Sequence, residues 1–207
     1  MEKKKEDLLK EIIGIEWQMF ENVPNVGGKA LCQEDPATFE TMRFSQGLSW
    51  SEATLESYLD DLKEAEKEGR NLLTEKYARM MKSTVPSEYA QIEHLLPPLD
   101  PEVFPLIDKI AEIVLQWQEE LVERFPYVLA GGRPIRASQD TPFATSFETY
   151  LRGELLTYSR RTLELYHENL LKQKSEKING AEITLEFTVK QYGYGSLAEA
   201  NEKLKNR

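Results

Sequence analysis

The stretch "PEVFPLIDKIAEIVLQWQEELVERF" (Pro101–Phe125) decides the fold class. Val103, Ile107, Ile110, Val114, Trp117 and Leu121 recur every three or four positions, which places them on one side of an α-helix. Asp100 and Pro101 stand at its start, a capping side chain followed by a residue suited to a first helical position. A stripe this regular has to be covered by other helices. The segment reads as a central packing helix with no chemistry of its own.

Helical periodicity extends outward on both sides. Upstream, a first helix is expected over Glu6 to Glu21, with Leu8, Ile12, Ile15 and Met19 on one face. Asp35 and Pro36 open a second, which carries Phe39, Met42 and Trp50. Ser51 caps a third, and its charged run to Lys67 reads as a solvated face. Gly69 ends that helix or loosens it, and "RNLLTEKYARMMKS" (Arg70–Ser83) is a further helix or a continuation. "LLPPLDPE" (Leu95–Glu102) is a loop, because paired prolines cannot continue a helix. Downstream, "VLAGGRPIRASQDTP" (Val128–Pro142) is a long polar loop. One helix is expected from Thr145 to Leu171, and "GSLAEANEKLKN" (Gly195–Asn206) closes the chain as a short helix.

One segment departs from this pattern. "AEITLEFTV" (Ala181–Val189) alternates and is rich in β-branched residues, so it reads as a strand. A lone strand needs a partner, either an earlier loop or another copy of the chain, which leaves a homo-oligomer open. The expectation is a mainly α, helical-bundle-like single domain over residues 1–207, with at most a small β element near 182–189.

Composition narrows the function classes. The 207-residue chain is 40% hydrophobic with a formal net charge of −10. It can build a core, but it lacks the basic footprint that nucleic acid or an anionic membrane surface requires. The single cysteine, Cys32, cannot form an internal disulfide and fits a reducing compartment. "MEKKKEDLLKEIIG" (Met1–Gly14) has no secretory apolar region. A soluble cytoplasmic protein is expected.

The unusual residues are polar groups on apolar stripes. With about 100° per helical residue, Glu154 falls inside the stripe of Phe147, Leu151, Tyr158 and Leu165. Gly153 beside it would let another backbone approach, and Tyr150 and Arg161 edge the same face. Glu16 lies among Leu9, Ile12 and Phe20. Arg43 and Gln46 share the stripe of Phe39, Met42 and Trp50. Lys76 lies among Leu72, Leu73 and Met80, with Tyr77 next to it. An unpaired buried charge costs several kcal/mol, so these groups are expected to meet, Glu16 and Glu154 balanced by Arg43 and Lys76. Such a cluster is either an ion-pair network that fixes helix register or the polar wall of a pocket between helices.

The loops say less. "NVGGKALCQEDP" (Asn25–Pro36) fails as a phosphate-binding loop, because alanine follows Lys29. Cys32, three residues before the proposed cap, is either a small buried hydrophobe or a thiol made reactive by a helix start. "AGGRPIR" (Ala130–Arg136) offers Arg133 beside two glycines, either as an anion contact or as a solvated turn. A metal site is disfavoured, since His94 and His167 have no ligand at helical spacing. No cofactor can be named.

"IEWQMFENVPNVGGKALCQED" (Ile15–Asp35), "GRNLLTEKYARMM" (Gly69–Met81) and "TSFETYLRGELLTYS" (Thr145–Ser159) resemble a bacterial family, domain of unknown function 4125, from about Glu11 to Ala200. The resemblance implies a small bacterial cytoplasmic protein. It brings no activity, substrate or catalytic residues.

Two functions remain open. In one, the polar cluster is a site for a small anionic molecule, with general acid/base chemistry carried out on it. Glu16 or Glu154 would then move the proton, with a pKa raised by an apolar wall. Tyr158 and Tyr77 would donate hydrogen bonds, and Arg43, Gln46, Lys76 and Arg133 would hold the ligand. In the other, the chain is a non-catalytic binding or interaction module whose buried network is purely structural.

Overall fold

A computed structural model describes residues 3–25 and 27–206. Eleven α-helices follow one another among these residues: α1 Lys3–Glu21, α2 Pro36–Leu48, α3 Glu52–Lys67, α4 Leu72–Thr84, α5 Pro86–Ile92, α6 Phe104–Arg124, α7 Pro126–Leu129, α8 Phe147–Leu155, α9 Arg160–Ser175, α10 Gly180–Gln191 and α11 Leu197–Lys205. The fold is mainly α, and no strand occurs among the described residues.

Local chemistry sets most boundaries. Asp35 accepts a hydrogen bond from the Thr38 amide, Ser51 from Thr54, Asn71 from Thr74 and Ser146 from Thr149. Each satisfies an amide that a helix start leaves without a partner. Gly69, at φ +69°, turns the chain out of α3, so "RNLLTEKYARMMKS" is a separate helix. At the other end of α2, the Lys5 ammonium donates to the carbonyls of Leu48 and Trp50, at 2.7 and 2.6 Å. Trp50 lies just past α2 rather than on it.

Helix α6 runs through the middle and touches α8, α9 and α10. All six of its expected stripe residues are buried, with Ile110 and Leu121 at 0% exposure. Helix α1 packs on α2, α3 and α4, and α4 lies against α8. The last of these contacts depends on Gly153, where a Cβ would come within 2.7 Å of Met80 Cγ and 3.2 Å of the Lys76 carbonyl oxygen.

Residues 181–189 are helical, which corrects the expected strand near 182–189. Alternating apolar residues on a helix step about 200° at a time, so they spread around its circumference. That suits α10, which is half-buried along almost its whole length. One side meets α2 and α6, with the Phe187 and Phe44 rings 5.5 Å apart. The other side supports a smaller core of Val189, Leu197 and Ala200 with α11. Asn179 caps its start, and the Thr184 and Thr188 hydroxyls donate back to the carbonyls of Gly180 and Thr184. This satisfies polar groups that would otherwise disfavour threonine in a helix. The question of a partner strand, and of a second chain supplying it, therefore disappears.

The helix expected from Thr145 to Leu171 is two helices. Helix α8 ends at Leu155 and α9 starts after Ser159, whose side chain accepts from the Thr162 amide. Asp61 on α3 accepts from the Ser159 amide at 2.9 Å and holds the turn. Arg161, expected at the edge of the buried face, points to solvent as a result of this break.

Candidate functional site

Five elements contribute to one polar cluster: Glu16 from α1, Arg43 and Gln46 from α2, Tyr58 from α3, Lys76 from α4, and Glu154 from α8. Tyr158, in the turn after α8, completes it. Arg43 is the hub. Its guanidinium donates two hydrogen bonds to Glu16, one of them Nε to Oε2 at 2.7 Å. Its Nη1 donates to Glu154 Oε1 at 3.0 Å and to Gln46 Oε1 at 2.7 Å. Lys76 Nζ donates to Glu154 Oε2 at 2.5 Å. Gln46 Nε2 and the Tyr158 hydroxyl donate to Glu154 Oε1 at 3.2 and 2.8 Å, and the Tyr58 hydroxyl donates to Glu16 Oε1 at 2.7 Å. Glu154 stands on the apolar stripe because two cations from other helices meet it there.

The cluster is deep and electrically closed. Exposure is 0% for Glu16, 6% for Lys76 and 7% for Glu154. Two carboxylates face two cations, which the low dielectric of the interior demands. Burial alone would raise the Glu154 carboxyl. Arg43 and Lys76, with hydrogen bonds from Lys76 and Tyr158, outweigh it and hold the group well below the usual carboxylate range. This is opposite to the direction expected for a carboxylate in an apolar wall. Burial followed by the adjacent carboxylates drives both the Tyr58 and Tyr158 hydroxyls well above the ordinary phenol range. Behind the cluster, Trp50 packs edge-on against Tyr58 and Tyr158, with ring centroids 5.5 and 5.9 Å away.

A cavity of about 610 Å³ lies in front of this cluster, between α2, α4, α6, α8, α9 and α10. Arg43, Gln46, Lys76 and Glu154 form its polar wall. Phe39, Leu73, Tyr77, Val114, Trp117 and Leu170 are among the apolar and aromatic side chains that form most of the rest. Leu31, Met42 and Arg133 stand at the mouth and are exposed to solvent. Burial raises the Tyr77 hydroxyl well above its ordinary range. Helix α10 closes one side with Gly180, Ala181 and Thr184.

The structure therefore gathers Arg43, Gln46, Lys76, Tyr77, Glu154, Arg133 and Cys32 around one space. Glu16 and Tyr158 sit behind that wall and do not line it. Cys32 is exposed on the short turn Leu31–Glu34, which corrects the buried-hydrophobe reading; the turn is anchored instead by Gln33, whose amide donates to the carbonyls of Phe20 and Val23. Tyr58 went unnoticed in the sequence, although its hydroxyl among Leu55, Leu59 and Leu62 carries the same signal as Glu154. The α10 lining could not be found while that segment read as a strand.

The chain matches the family described as "Protein of unknown function (DUF4125)" over residues 6–202. The chain belongs to this family. No curated protein and no solved structure matches it. Among the described residues, no helix is long and apolar enough to cross a membrane. That description carries no activity.

Proposed function

We propose that the cavity binds a small molecule with an apolar body and an anionic group, in a cytoplasmic protein. The observation that carries this reading is the cavity itself. Its volume of about 610 Å³ falls within the range typical of ligand sites, about 300–1,000 Å³, and its mainly apolar lining with a few convergent polar groups is typical too. In a chain of net charge −10, three basic side chains line it (Arg43, Lys76, Arg133) against two acidic ones (Asp35, Glu154). The lone free cysteine fits the reducing cytoplasm.

Binding is favoured over general acid/base catalysis. Glu154 Oε1 already accepts from three donors and Oε2 from Lys76. A carboxylate so saturated, and held ionised, neither gives nor takes a proton readily near pH 7. Glu16 is shut behind the cavity wall. The network thus supports the site as scaffold, which is also what the interaction-module reading asks of it. What that reading leaves unexplained is the cavity.

The test is a titration with the neutral fluorophore N-phenyl-1-naphthylamine. The wild type is expected to bind it saturably with enhanced emission. Ala181→Trp, which fills the α10 side of the cavity, is expected to fold and to lose that binding. Equal binding by both proteins would place the dye elsewhere and remove the proposal.

A further inference from the structure

The three cations on the cavity wall are not equivalent. Arg43 lies between Glu16 and Glu154, and Lys76 is paired with Glu154. Their charges are already cancelled within the wall. A ligand anion pressed against them would make a third negative charge beside two positive ones, on a largely desolvated wall, and burial of an uncompensated charge is costly. Arg133 differs. Among the described residues no carboxylate pairs with it, and its one hydrogen bond is a donation from Nη1 to the Thr145 carbonyl at 3.3 Å. The guanidinium stacks 4.0 Å from the centroid of the Tyr150 ring. This holds the group over the ring, while its other N–H groups have no partner among the described residues, an arrangement that suits a guanidinium for recognising an anion.

We infer that the anionic group of the ligand is held at the mouth by Arg133, stacked on Tyr150, and that the Arg43–Lys76 wall takes only uncharged, hydrogen-bond-accepting parts of it. The inference rests on the cavity being the binding site. Lys76 supports its second half: the ammonium makes one hydrogen bond to Glu154 and has three N–H groups to give, so it has donors left for a neutral acceptor such as a carbonyl oxygen. The ligand class is an amphipathic acid, with its acid group at the entrance and its apolar body inside. Tyr150 is a positioning residue for Arg133.

Two dyes that differ by a single sulfonate separate the possibilities: neutral N-phenyl-1-naphthylamine and anionic 8-anilinonaphthalene-1-sulfonate. Both are titrated against wild type, Arg133→Gln, Arg133→Lys, Lys76→Met and the cavity-filling Ala181→Trp. Arg133→Gln is expected to weaken the sulfonate dye by about fivefold, the size of one partly exposed ionic contact, and to leave the neutral dye unchanged. Arg133→Lys should recover part of the loss, because it keeps the charge but not the stacked plane. The inference is overturned if Arg133→Gln affects both dyes alike, or if Lys76→Met rather than Arg133→Gln weakens the sulfonate dye selectively. If Ala181→Trp leaves both dyes bound, the cavity reading itself has failed.

Discussion

The inner wall of the cavity and its mouth carry the same residue types to opposite ends. At the wall, Lys76 is buried, Arg43 is nearly so, and both are neutralised by Glu16 and Glu154. At the mouth, Arg133 is exposed, lacks an anionic partner among the described residues, and rests on an aromatic ring. Removing a wall residue leaves a charge stranded in the interior. Removing a mouth residue leaves only water in its place. Burial, more than residue type, therefore decides whether a charged side chain in this protein acts as scaffold or as a contact for something else.

The sharpest break of this comparison is Arg43→Met. It strands Glu16, at 0% exposure, and deprives Glu154 of one of its two cations. A loss on the order of 3–5 kcal/mol is expected in urea unfolding. A loss below about 1 kcal/mol would mean that the wall is not a mutually dependent network.

Acid sharpens the same point. The Glu154 carboxyl is held well below its ordinary range in the fold, so it contributes stability above the unfolded value of about 4.3. That contribution is lost as pH falls from there toward the folded value. Between about pH 5 and pH 3, wild type should therefore lose more stability than Glu154→Gln, which has no carboxyl to protonate at that position. Parallel pH profiles for the two proteins would contradict the assignment. Tyr58→Phe removes one hydrogen bond to a buried carboxylate and is expected to cost about 1.5–3 kcal/mol in the same assay. At the mouth, Cys32→Ser should change stability by no more than about 0.5 kcal/mol, since the thiol is exposed. Slow or absent reaction of the native thiol with a disulfide reagent would show that it is covered after all.

Much of this organisation is legible in the sequence, for identifiable reasons. Helix α6 could be read because its stripe follows a period of 3.6 with no competing signal. The wall could be read because a charge inside an apolar stripe has to be paired, and four helices each carried one or more such polar residues. Helix α10 could not, because a helix packed on two sides has apolar residues all round, and their spacing imitates a strand. Its threonines, read as β-formers, bond back to their own helix instead. The turn between α8 and α9 depends on Asp61, a residue far away in the sequence, and no local pattern reports such a partner. The cavity is a property of how several helices distant in sequence pack around one space, which residue spacing does not encode.

The account's central claim is that the buried wall maintains the fold while the space in front of it binds the ligand. Glu16→Gln tests this most directly, because Glu16 braces Arg43 from behind the wall and does not line the cavity. Urea unfolding and N-phenyl-1-naphthylamine titration are run on the same sample. The account predicts a stability loss of about 2–4 kcal/mol with a dye affinity within about twofold of wild type under native conditions. Unchanged stability with dye binding abolished would contradict it, and would move Glu16 from the scaffold into the site.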